Sequence, residues 1–220
     1  MKANFHIHTS FSTLDGEQSP TKTFETMAEH GITVAAITDH DNVNGCAEAR
    51  EACARLGIEY YDGIELTVQP EGSPLPDFDS IFYIHVLGLG VNPAKIGKLN
   101  IFPPFLTFKQ GIDLIHNAGG LAVWAHPLWG PSGQFHNAET EILAGILKDL
   151  GIDGMEVYYA HFSDENLAFV EKIADRLKLL KSTGTDYHGA YGAKYLKNSA
   201  RLEEFAEKAL PLIERLRKRK

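Results

Sequence analysis

Histidine and carboxylate side chains recur in this sequence at the ends of short apolar segments. The residues placed in this way are His6, His8, His40, Glu65, His126, Asp186 and His188, and His85 lies within such a segment. Imidazole and carboxylate groups are common ligands of zinc, iron and manganese ions. Because six of the ten histidines follow this pattern, the sequence predicts a metal site rather than unrelated histidines.

Two pairs among these residues are separated by a single position. In a strand, residues i and i+2 project from the same face, so His6 with His8, and Asp186 with His188, can each direct two ligands to one point. The other histidines lie in helical or polar stretches, where we expect ordinary structural roles; they are His30, His116, His136 and His161.

The number of candidate ligands indicates more than one metal ion. Eight or nine imidazole and carboxylate groups exceed the four ligands of a tetrahedral zinc ion and suit two or three ions, with a carboxylate such as Glu65 as a bridge. Closely spaced ions lower the pKa of bound water and clamp the attacking and leaving oxygens of a phosphoryl centre. Such a centre needs no serine or cysteine nucleophile, and hydrolysis of a phosphate ester by metal-bound hydroxide is the leading hypothesis.

Alternating strands and helices would position these ligands. Seven segments rich in β-branched and aromatic residues have strand length; they are ANFHIH (3–8), VAAIT (34–38), IEYY (58–61), IFYIHVLGL (81–89), LAVWA (121–125), MEVYY (155–159) and LLKST (179–183). Helical periodicity, with Ser or Pro at several starts and Gly at several ends, predicts helices over 21–30, 43–56, 109–118 and 163–177. The stretches 67–80 and 92–105 are predicted to be irregular connections.

This alternation predicts an α/β fold with a largely parallel sheet, and seven such units suggest closure into a barrel. A doubly wound open sheet is the alternative architecture. In parallel α/β folds, ligands and catalytic groups collect at the carboxyl ends of the strands. Candidate ligands that are distant in the sequence are therefore expected to meet at one edge.

Length and composition favour one domain spanning residues 1–220. The net charge of -8 disfavours nucleic acid as a partner, although a local groove for a short anion stays open. The C-terminal RLRKRK is predicted to be a solvated helix end, and Cys46 and Cys53 are predicted to be buried on one helix face. With no charged leader and no apolar run of membrane-spanning length, the chain is expected to be cytoplasmic and not to bind a membrane.

Seven motifs, in this order, resemble those of the PHP (polymerase and histidinol phosphatase) family, in particular its small stand-alone phosphoesterases; they are HIHTSFS, ITDHDNVNG, GIEL, HVLGLG, AGGLAVWAHP, GMEVYYAHFSDEN and GTDYHG. The resemblance covers nearly the whole chain and implies a distorted seven-stranded β/α barrel, similar to a TIM barrel, with up to three manganese, iron or zinc ions. It implies three ligand groups, which are His6, His8, Glu65 and Asp186 for one ion, Glu65, His85 and His126 for a second, and Asp15, His40 and His188 for a third. Three of these residues are then expected at the reaction centre as catalytic residues, namely Glu65, Asp186 and His188.

The sequence departs from the family pattern at two places that concern function. The family usually places its first-motif aspartate five residues after the second histidine, whereas Asp15 lies seven residues after His8. The connection between HVLGLG and AGGLAVWAHP is short, although relatives that act on nucleotides or nucleic-acid ends often carry a helical insertion there. The resemblance therefore implies the chemistry but not the substrate range.

Residues near the predicted metal site could contact a small phosphorylated substrate. Lys194 and Lys197 follow the His188 motif and are candidates for binding a distal phosphate or another anion, with solvated loop lysines as the alternative. Tyr187 and Trp129 could form walls of the pocket, with packing in the core as the alternative that is commoner for aromatic residues near strand ends. Asp39 is expected to orient the neighbouring imidazole rather than to bind metal.

Two other functions are compatible with these residue types. One is amidohydrolase-like hydrolysis at a carbon centre, in which many enzymes bridge their metals with a modified lysine; no apolar strand offers one here, since Lys181 lies near the start of its segment. The other is a non-catalytic metal-binding module, but such modules tend to lose ligands and this chain has a full set. A nuclease is a narrower version of the phosphoesterase and is disfavoured by the negative charge and the short connection.

Overall fold

The computed structural model describes residues 1–12, 15–71, 83–99, 105–130, 133–134, 137–190 and 192–220. Strands in these ranges are β1 (Ala3–Asn4), β2 (Val34–Ala36), β3 (Glu59–Tyr61), β4 (Gly63–Gln69), β5 (Ile84–Leu89), β6 (Leu106–Thr107), β7 (Leu121–Trp124), β8 (Trp129–Gly130), β9 (Gly133–Gln134), β10 (Gly154–Tyr159) and β11 (Leu180–Gly184). The α-helices are α1 (Pro20–Glu29), α2 (Cys46–Leu56), α3 (Phe108–Asn117), α4 (Asn137–Asp149), α5 (Asp164–Leu177), α6 (Ala193–Leu196), α7 (Ser199–Lys208) and α8 (Leu210–Arg217), and a 3-10 helix spans Pro93–Lys95.

Most strands pair in parallel within two main sheets. The first sheet has the order β1-β2-β3 and is wholly parallel. The second has the order β11-β10-β7-β5-β4-β6, in which β5 is antiparallel to both of its neighbours and the other pairs are parallel. β8 and β9 form a separate antiparallel ribbon. The predicted α/β fold with a largely parallel sheet is confirmed.

The predicted closed barrel of seven strands is not confirmed, because the strands that the structure describes form separate sheets. Isolated parallel bridges link the two main sheets, one between Ile7 and Tyr187 and the other between His40 and Glu65. The backbone N–H of Phe5 also donates a hydrogen bond of 3.0 Å to the carbonyl of Thr183. The end of β1 therefore lies beside β11, and the segment after β2 lies beside β4.

β4 is the main strand that the sequence patterns missed. Residues 63–66 were expected to follow the strand IEYY, and residues 67–69 were expected to belong to a loop. In the structure, Gly63–Gln69 is one continuous strand. β4 alternates apolar residues with Glu65, Thr67 and Gln69, so its polar positions resemble a loop although six of its residues pair with β5. Residues 72–80 of that predicted loop, residues 81–82 of the predicted strand and residues 100–104 of the second predicted connection lie outside the described residues.

The four predicted helices are confirmed, with starts or ends displaced by up to three residues. Side-chain caps define the amino ends of α1, α3 and α5. The Ser19 hydroxyl accepts the backbone N–H of Lys22 at the start of α1, Thr107 forms a capping box with Gln110 at the start of α3, and Ser163 accepts the N–H of Asn166 at the start of α5. α2 ends at Gly57, which adopts φ 71° in the left-handed region that glycine tolerates. α4, α6 and α7 were not predicted, and of α8 only the basic end was.

Helices cover both sheets with apolar faces. α2 buries Cys46 and Cys53 on its inner face, as predicted, and both thiols are free. Burial raises the pKa of each thiol to about 12, so both remain protonated and act as small apolar groups.

Within the described ranges, no helix combines the length and the apolar composition that crossing a membrane requires.

The basic C-terminus is more than the solvated helix end that was predicted. The Arg217 guanidinium donates to both carboxylate oxygens of Glu59, at 2.6 to 3.2 Å. Arg219 donates to the carbonyls of Gly119 and Gly120, at 3.0 and 2.7 Å. These contacts attach the end of α8 to β3 and to the turn before β7, which a sequence of alternating Arg and Lys does not reveal.

Candidate metal centre

The predicted ligands converge where the two main sheets meet. His6 and His8 follow β1, His40 follows β2, His126 follows β7, and Asp186 and His188 follow β11. Two ligands come from inside strands, namely Glu65 in β4 and His85 in β5. The position of Glu65 corrects the prediction that it follows a strand.

The antiparallel direction of β5 explains how His85 reaches the site. His85 is the second residue of β5, and the amino end of this strand lies beside the carboxyl end of β7 because the two strands run in opposite directions. The backbone N–H of Ala125 donates to the carbonyl of His85, at 3.0 Å, so the next residue, His126, lies close by. A ligand near the start of a strand thus meets ligands from strand ends.

The first ligand group brings together four donor atoms from His6, His8, Glu65 and Asp186. The Nε2 atoms of His6 and His8 are 3.1 Å apart, and they lie 3.1 and 3.0 Å from Glu65 Oε2. Both nitrogens also lie near Asp186 Oδ1, at 3.2 and 3.3 Å. His6, His8 and Glu65 are almost completely buried, at 0, 1 and 0% exposure.

The second ligand group is built on the other oxygen of the same carboxylate. Glu65 Oε1 lies 3.2 Å from His85 Nδ1 and 3.2 Å from His126 Nε2. These two nitrogens are 3.4 Å apart. The Glu65 carboxylate therefore stands between two groups of imidazoles, as a bridging ligand would.

The third ligand group includes Asp15 in spite of its unusual spacing from His8. Asp15 Oδ2 lies 3.3 Å from His40 Nε2, and Asp15 Oδ1 lies 3.4 Å from His188 Nδ1. His40 and His188 also connect this group to the others, since His40 Nδ1 is 3.3 Å from Glu65 Oε2 and His188 Nε2 is 2.9 Å from Asp186 Oδ1. All nine predicted ligands thus form one cluster.

This donor set fits divalent cations. The facing imidazole nitrogens in two pairs, at 3.1 and 3.4 Å, leave room for one hydrogen or one metal ion between them, and a bound cation would satisfy both lone pairs of a pair at once. Ligands that share a tetrahedral ion at about 2.1 Å are separated by about 3.4 Å. Mixed nitrogen and oxygen donors suit zinc, iron or manganese.

The charges of the site favour a bound cation. Burial opposes the ionisation of Glu65, but the imidazoles of His6 and His40 outweigh this effect and hold the pKa of Glu65 well below its usual range. The pKa of Asp186 is also lowered, because His6, His188 and His8 outweigh the effect of burial. Both carboxylates therefore stay ionised. Burial lowers the pKa of His85 to about 4, so this imidazole is neutral and keeps a lone pair for a metal.

Two ligand residues adopt backbone conformations that non-glycine residues rarely use. His126 has φ 28° and Asp186 has φ 50°. Such conformations cost of order 1 kcal/mol or more and cluster at functional sites, where the surrounding structure maintains them. For His126 that support includes a hydrogen bond of 2.8 Å from its backbone N–H to Glu156 Oε2.

Glu156 is the residue near the centre that sequence reasoning missed. It is completely buried in β10, and its two carboxylate oxygens lie 3.1 and 3.0 Å from His6 Nδ1. A carboxylate at Nδ1 keeps the proton on that nitrogen and leaves the Nε2 lone pair directed at the first ligand group. The available signal was one charged residue inside the apolar strand MEVYY.

Asp39 does not contact an imidazole through a hydrogen bond, which corrects its predicted role. Its carboxylate accepts hydrogen bonds from the backbone N–H of Thr9 at 2.6 Å and from the Thr9 hydroxyl at 2.8 Å. Asp41 does the same for Thr67, at 2.9 and 2.7 Å. These two aspartates therefore hold the backbone next to His8 and near Glu65.

Aromatic residues beside the centre have several roles. The Tyr159 hydroxyl donates to Asp186 Oδ2 at 2.8 Å, and His161 stacks on Tyr159 with ring centroids 4.5 Å apart. Tyr187 is only 2% exposed and donates to Gln18, so it belongs to the core and the prediction that it forms a pocket wall is wrong. Trp129 is 47% exposed, three residues after His126.

Three of the four histidines that were excluded from the site have structural partners. His30 Nδ1 lies 2.9 Å from the Thr26 carbonyl, His116 Nε2 lies 2.7 Å from Asp153, and His161 Nε2 lies 2.8 Å from the Thr185 carbonyl. His136 lies outside the described residues. The candidate substrate lysines, Lys194 and Lys197, are exposed at the short helix α6 and its end.

A model of the PHP domain family matches residues 4–214. The chain belongs to the PHP domain family. Membership confirms the family resemblance that the sequence motifs indicate, and the cluster contains groups of imidazoles and carboxylates that could hold a metal ion.

Relatives in this family act on different phosphate esters. The phosphoribosyl 1,2-cyclic phosphate 1,2-diphosphodiesterase of Eggerthella lenta is 34% identical, with 87% of this chain and 96% of that protein covered. The 5'-3' exoribonuclease of Haemophilus influenzae is 34% identical over 85% of this chain and 90% of that protein. The 3',5'-nucleoside bisphosphate phosphatase of Chromobacterium violaceum is 34% identical, but over only 42% of this chain and 30% of that protein.

Solved structures share the fold of this PHP-family chain. An amidohydrolase from Chromobacterium violaceum aligns with a TM-score of 0.71 and 22% identity, covering 86% of this chain and 88% of that one. A protein from Bifidobacterium adolescentis assigned to the metal-dependent phosphoesterases aligns with a TM-score of 0.68 and 19% identity, covering 94% of this chain and 96% of that one. Together with the relatives, family membership confirms the predicted enzyme class, phosphoesterase, and supports metal-dependent hydrolysis of phosphate esters in general.

Proposed function

We propose that this chain, as a single domain, hydrolyses a small phosphorylated substrate with two or three divalent ions held by the three ligand groups. The observation that carries the proposal is the position of the Glu65 carboxylate. Oε2 of Glu65 lies within 3.1 Å of His6 and His8, while Oε1 lies 3.2 Å from His85 and His126. One buried carboxylate can therefore bind two adjacent ions. Two closely spaced ions are an arrangement that many phosphoryl-hydrolysing enzymes use.

Each part of the cluster has a defined role in this proposal. The ligands are His6, His8, Glu65 and Asp186 in the first group, Glu65, His85 and His126 in the second, and Asp15, His40 and His188 in the third. Bound divalent ions supply Lewis acidity toward phosphoryl oxygens and lower the pKa of the water that they bind. Tyr159 fixes the orientation of Asp186 through its hydrogen bond to Oδ2, so Oδ1 stays directed at the imidazoles of the first group.

Glu65, Asp186 and His188 are proposed to lie closest to the reacting phosphoryl group. Asp186 Oδ1 joins the first and third ligand groups through its contacts with His6 and His188, at 3.2 and 2.9 Å. Glu65 joins the first and second groups, and its Oε2 also lies 3.3 Å from His40. A phosphate bound next to all three ligand groups would therefore lie beside these two carboxylates and the neighbouring imidazole of His188.

The carbon-centre alternative finds less support in the residues around the site. Lys181, the lysine that the sequence places on a strand, lies 3.0 Å from Glu171 and 2.8 Å from Asp175, and these ion pairs hold its ammonium group away from the cluster. Glu65 occupies the bridging position instead. A non-catalytic metal-binding module is disfavoured because all nine candidate ligands are present and lie together.

The decisive experiment is metal analysis of the purified protein combined with turnover measurements on phosphate monoesters, diesters, nucleotides and an amide. We expect two to three ions per chain and phosphate release that stops after chelation and returns with manganese, iron or zinc. We also expect chelation to lower the melting temperature, because an ion at about 1,000 times its Kd stabilises the folded state by about 4 kcal/mol. Faster turnover of the amide than of every phosphate ester would contradict the proposal.

Lys194 is the better placed of the two candidate substrate lysines. Its ammonium group lies 4.8 Å from the ring centroid of Tyr195, and Tyr195 packs on His161 with ring centroids 3.8 Å apart. His161 in turn lies 2.8 Å from the carbonyl of Thr185, the residue before Asp186. This aromatic stack fixes α6 relative to the metal centre, whereas no such stack involves Lys197 among the described residues.

We therefore expect Lys194→Ala to raise KM for a substrate with a second phosphate about tenfold and to change kcat little. A hydrogen bond to a charged group contributes about 1.5 to 3 kcal/mol, and about 1.4 kcal/mol corresponds to a factor of ten. Lys197→Ala is the matched control, because it removes the same charge at the residue directly after the end of α6. Steady-state kinetics on a monophosphate and a bisphosphate would measure both, and equal effects of the two substitutions would show that Lys194 has no specific role.

A further inference from the structure

Ser12 lies between His8 and Asp15 in the loop that departs from the family spacing. Its side chain is buried, with 5% of the residue exposed. Ser12 Oγ lies 2.8 Å from Asp15 Oδ1, 3.2 Å from the backbone nitrogen of His40 and 3.1 Å from His8 Nδ1. One hydroxyl thus touches all three of these candidate metal ligands.

The hydrogen atoms at this hydroxyl can be assigned from its partners. A serine hydroxyl has one hydrogen to donate and two lone pairs to accept. A carboxylate only accepts, so the hydroxyl hydrogen is donated to Asp15 Oδ1 at 2.8 Å. The backbone N–H of His40 only donates, so it occupies one lone pair of the Ser12 oxygen. The other lone pair is left for His8 Nδ1, which must carry a hydrogen.

This assignment determines which nitrogen of His8 is available to a cation. A neutral imidazole with its hydrogen on Nδ1 has its lone pair on Nε2. His8 Nε2 is the atom that lies 3.1 Å from His6 Nε2 and 3.0 Å from Glu65 Oε2. Glu156 places the same requirement on His6 through Nδ1. The two histidines of the first pair therefore direct lone pairs into one ligand group.

We propose that Ser12 is a positioning residue that sets the tautomer of His8 and holds the Asp15 carboxylate against His40 and His188. The inference rests on the proposed function only in assuming that these groups bind metal. It explains how the chain keeps an aspartate in the third ligand group although Asp15 is two residues further from His8 than the family pattern places it.

Backbone contacts show how the longer loop is folded back to bring Asp15 near Ser12. The N–H of Ser12 donates to the Thr9 carbonyl at 2.8 Å, and the N–H of Ser10 donates to the Gln18 carbonyl at 2.7 Å. Gly16 passes so close to the Thr9 carbonyl that a Cβ atom at this position would overlap it. These contacts return the chain to the start of the loop, and Ser12 then connects its two sides.

Ser12→Ala tests this role, with Ser10→Ala as the matched control because Ser10 is exposed in the same loop. The ring nitrogens of His8 are observed by 15N NMR in the metal-free proteins, and manganese or zinc binding is measured by calorimetry and elemental analysis. We expect His8 Nδ1 to carry a hydrogen in the wild type and in Ser10→Ala, whether or not Nε2, which faces Glu65 and Asp186, is also protonated in the metal-free protein. In Ser12→Ala we expect the Nε2–H form to appear and the most weakly held ion to bind about 10 to 100 times more weakly.

Two results would overturn the proposal. One is a wild-type protein in which His8 Nδ1 carries no hydrogen, which can be measured even if Ser12→Ala does not fold. The other is a folded Ser12→Ala protein with wild-type metal affinity and an unchanged His8 tautomer. If the wild type binds no metal at all, the proposed function fails, while the NMR measurement on the metal-free protein still decides the role of Ser12.

Discussion

Replacing Glu65 with glutamine is expected to lower kcat/KM for phosphate release by at least about 100-fold, which corresponds to about 3 kcal/mol of transition-state stabilisation. Glutamine keeps the shape of the side chain but removes the negative charge that faces His6 and His8 on one side and His85 and His126 on the other. Kinetics and elemental analysis of the purified variant would show the loss of turnover together with a loss of bound metal.

The control for this substitution is Glu171→Gln. Glu171 is a carboxylate that pairs with Lys181 and accepts a hydrogen bond from the Tyr158 hydroxyl, but it is not part of the metal centre. We expect its substitution to change turnover less than about twofold, within the range of a modest structural effect. A Glu65→Gln protein with wild-type turnover and wild-type metal content would refute the bridging role.

His126→Ala separates the second ligand group from the first. The His126 side chain lies against Glu65 Oε1 and His85, whereas His6 and His8 lie against Glu65 Oε2. The His126 ring also stacks on the His6 ring, with centroids 5.5 Å apart. We expect this variant to lose turnover while it remains folded and keeps part of its metal. A variant that loses every ion would indicate that the ligand groups do not bind independently.

Replacing Glu156 with glutamine is expected to lower kcat/KM about 10- to 100-fold, because groups that hydrogen-bond to metal ligands typically contribute that much. The carboxylate of Glu156 accepts from His6 Nδ1 and from the backbone N–H of His126. A glutamine at this position can turn its NH2 group toward His6, which would move the ring hydrogen to Nε2 and remove a lone pair from the first ligand group.

Metal affinity distinguishes this effect from a general loss of stability. We expect the Glu156→Gln protein to melt cooperatively, to bind metal more weakly and to recover part of its activity at high metal concentration. Glu171→Gln again serves as the control, since it changes a carboxylate that accepts a tyrosine hydroxyl on the same strand as Glu156. Full activity of Glu156→Gln at limiting metal would show that His6 needs no partner at Nδ1.

The relatives are named for several kinds of phosphate ester. They include enzymes named for a cyclic phosphate, for a nucleoside bisphosphate and for RNA, so the family hosts several substrates on one metal-binding fold. The net charge of -8 favours a small phosphorylated compound over a long nucleic acid for this chain. Comparing Lys194→Ala on monophosphates and bisphosphates is the most direct way to learn whether a second phosphate is recognised.

Residue types and local spacing were sufficient to predict much of the site. The pairs His6 with His8, and Asp186 with His188, follow from the two-residue repeat of a strand, and the positions after apolar segments identified His40 and His126. Capping residues and glycines likewise located four helices to within three residues. These features depend on neighbours in the chain, which a sequence displays directly.

Only the tertiary structure decided the remaining features. Glu65 lies inside β4 and Glu156 inside β10, and their importance depends on which imidazoles the neighbouring strands bring to them. Asp15 reaches His40 and His188 through the folding of its loop, and Tyr187 is placed in the core rather than at a pocket wall. Strand direction, sheet order and loop closure are set by contacts between distant residues. The residue types therefore indicated the chemistry, while long-range packing determined which candidate ligands lie together.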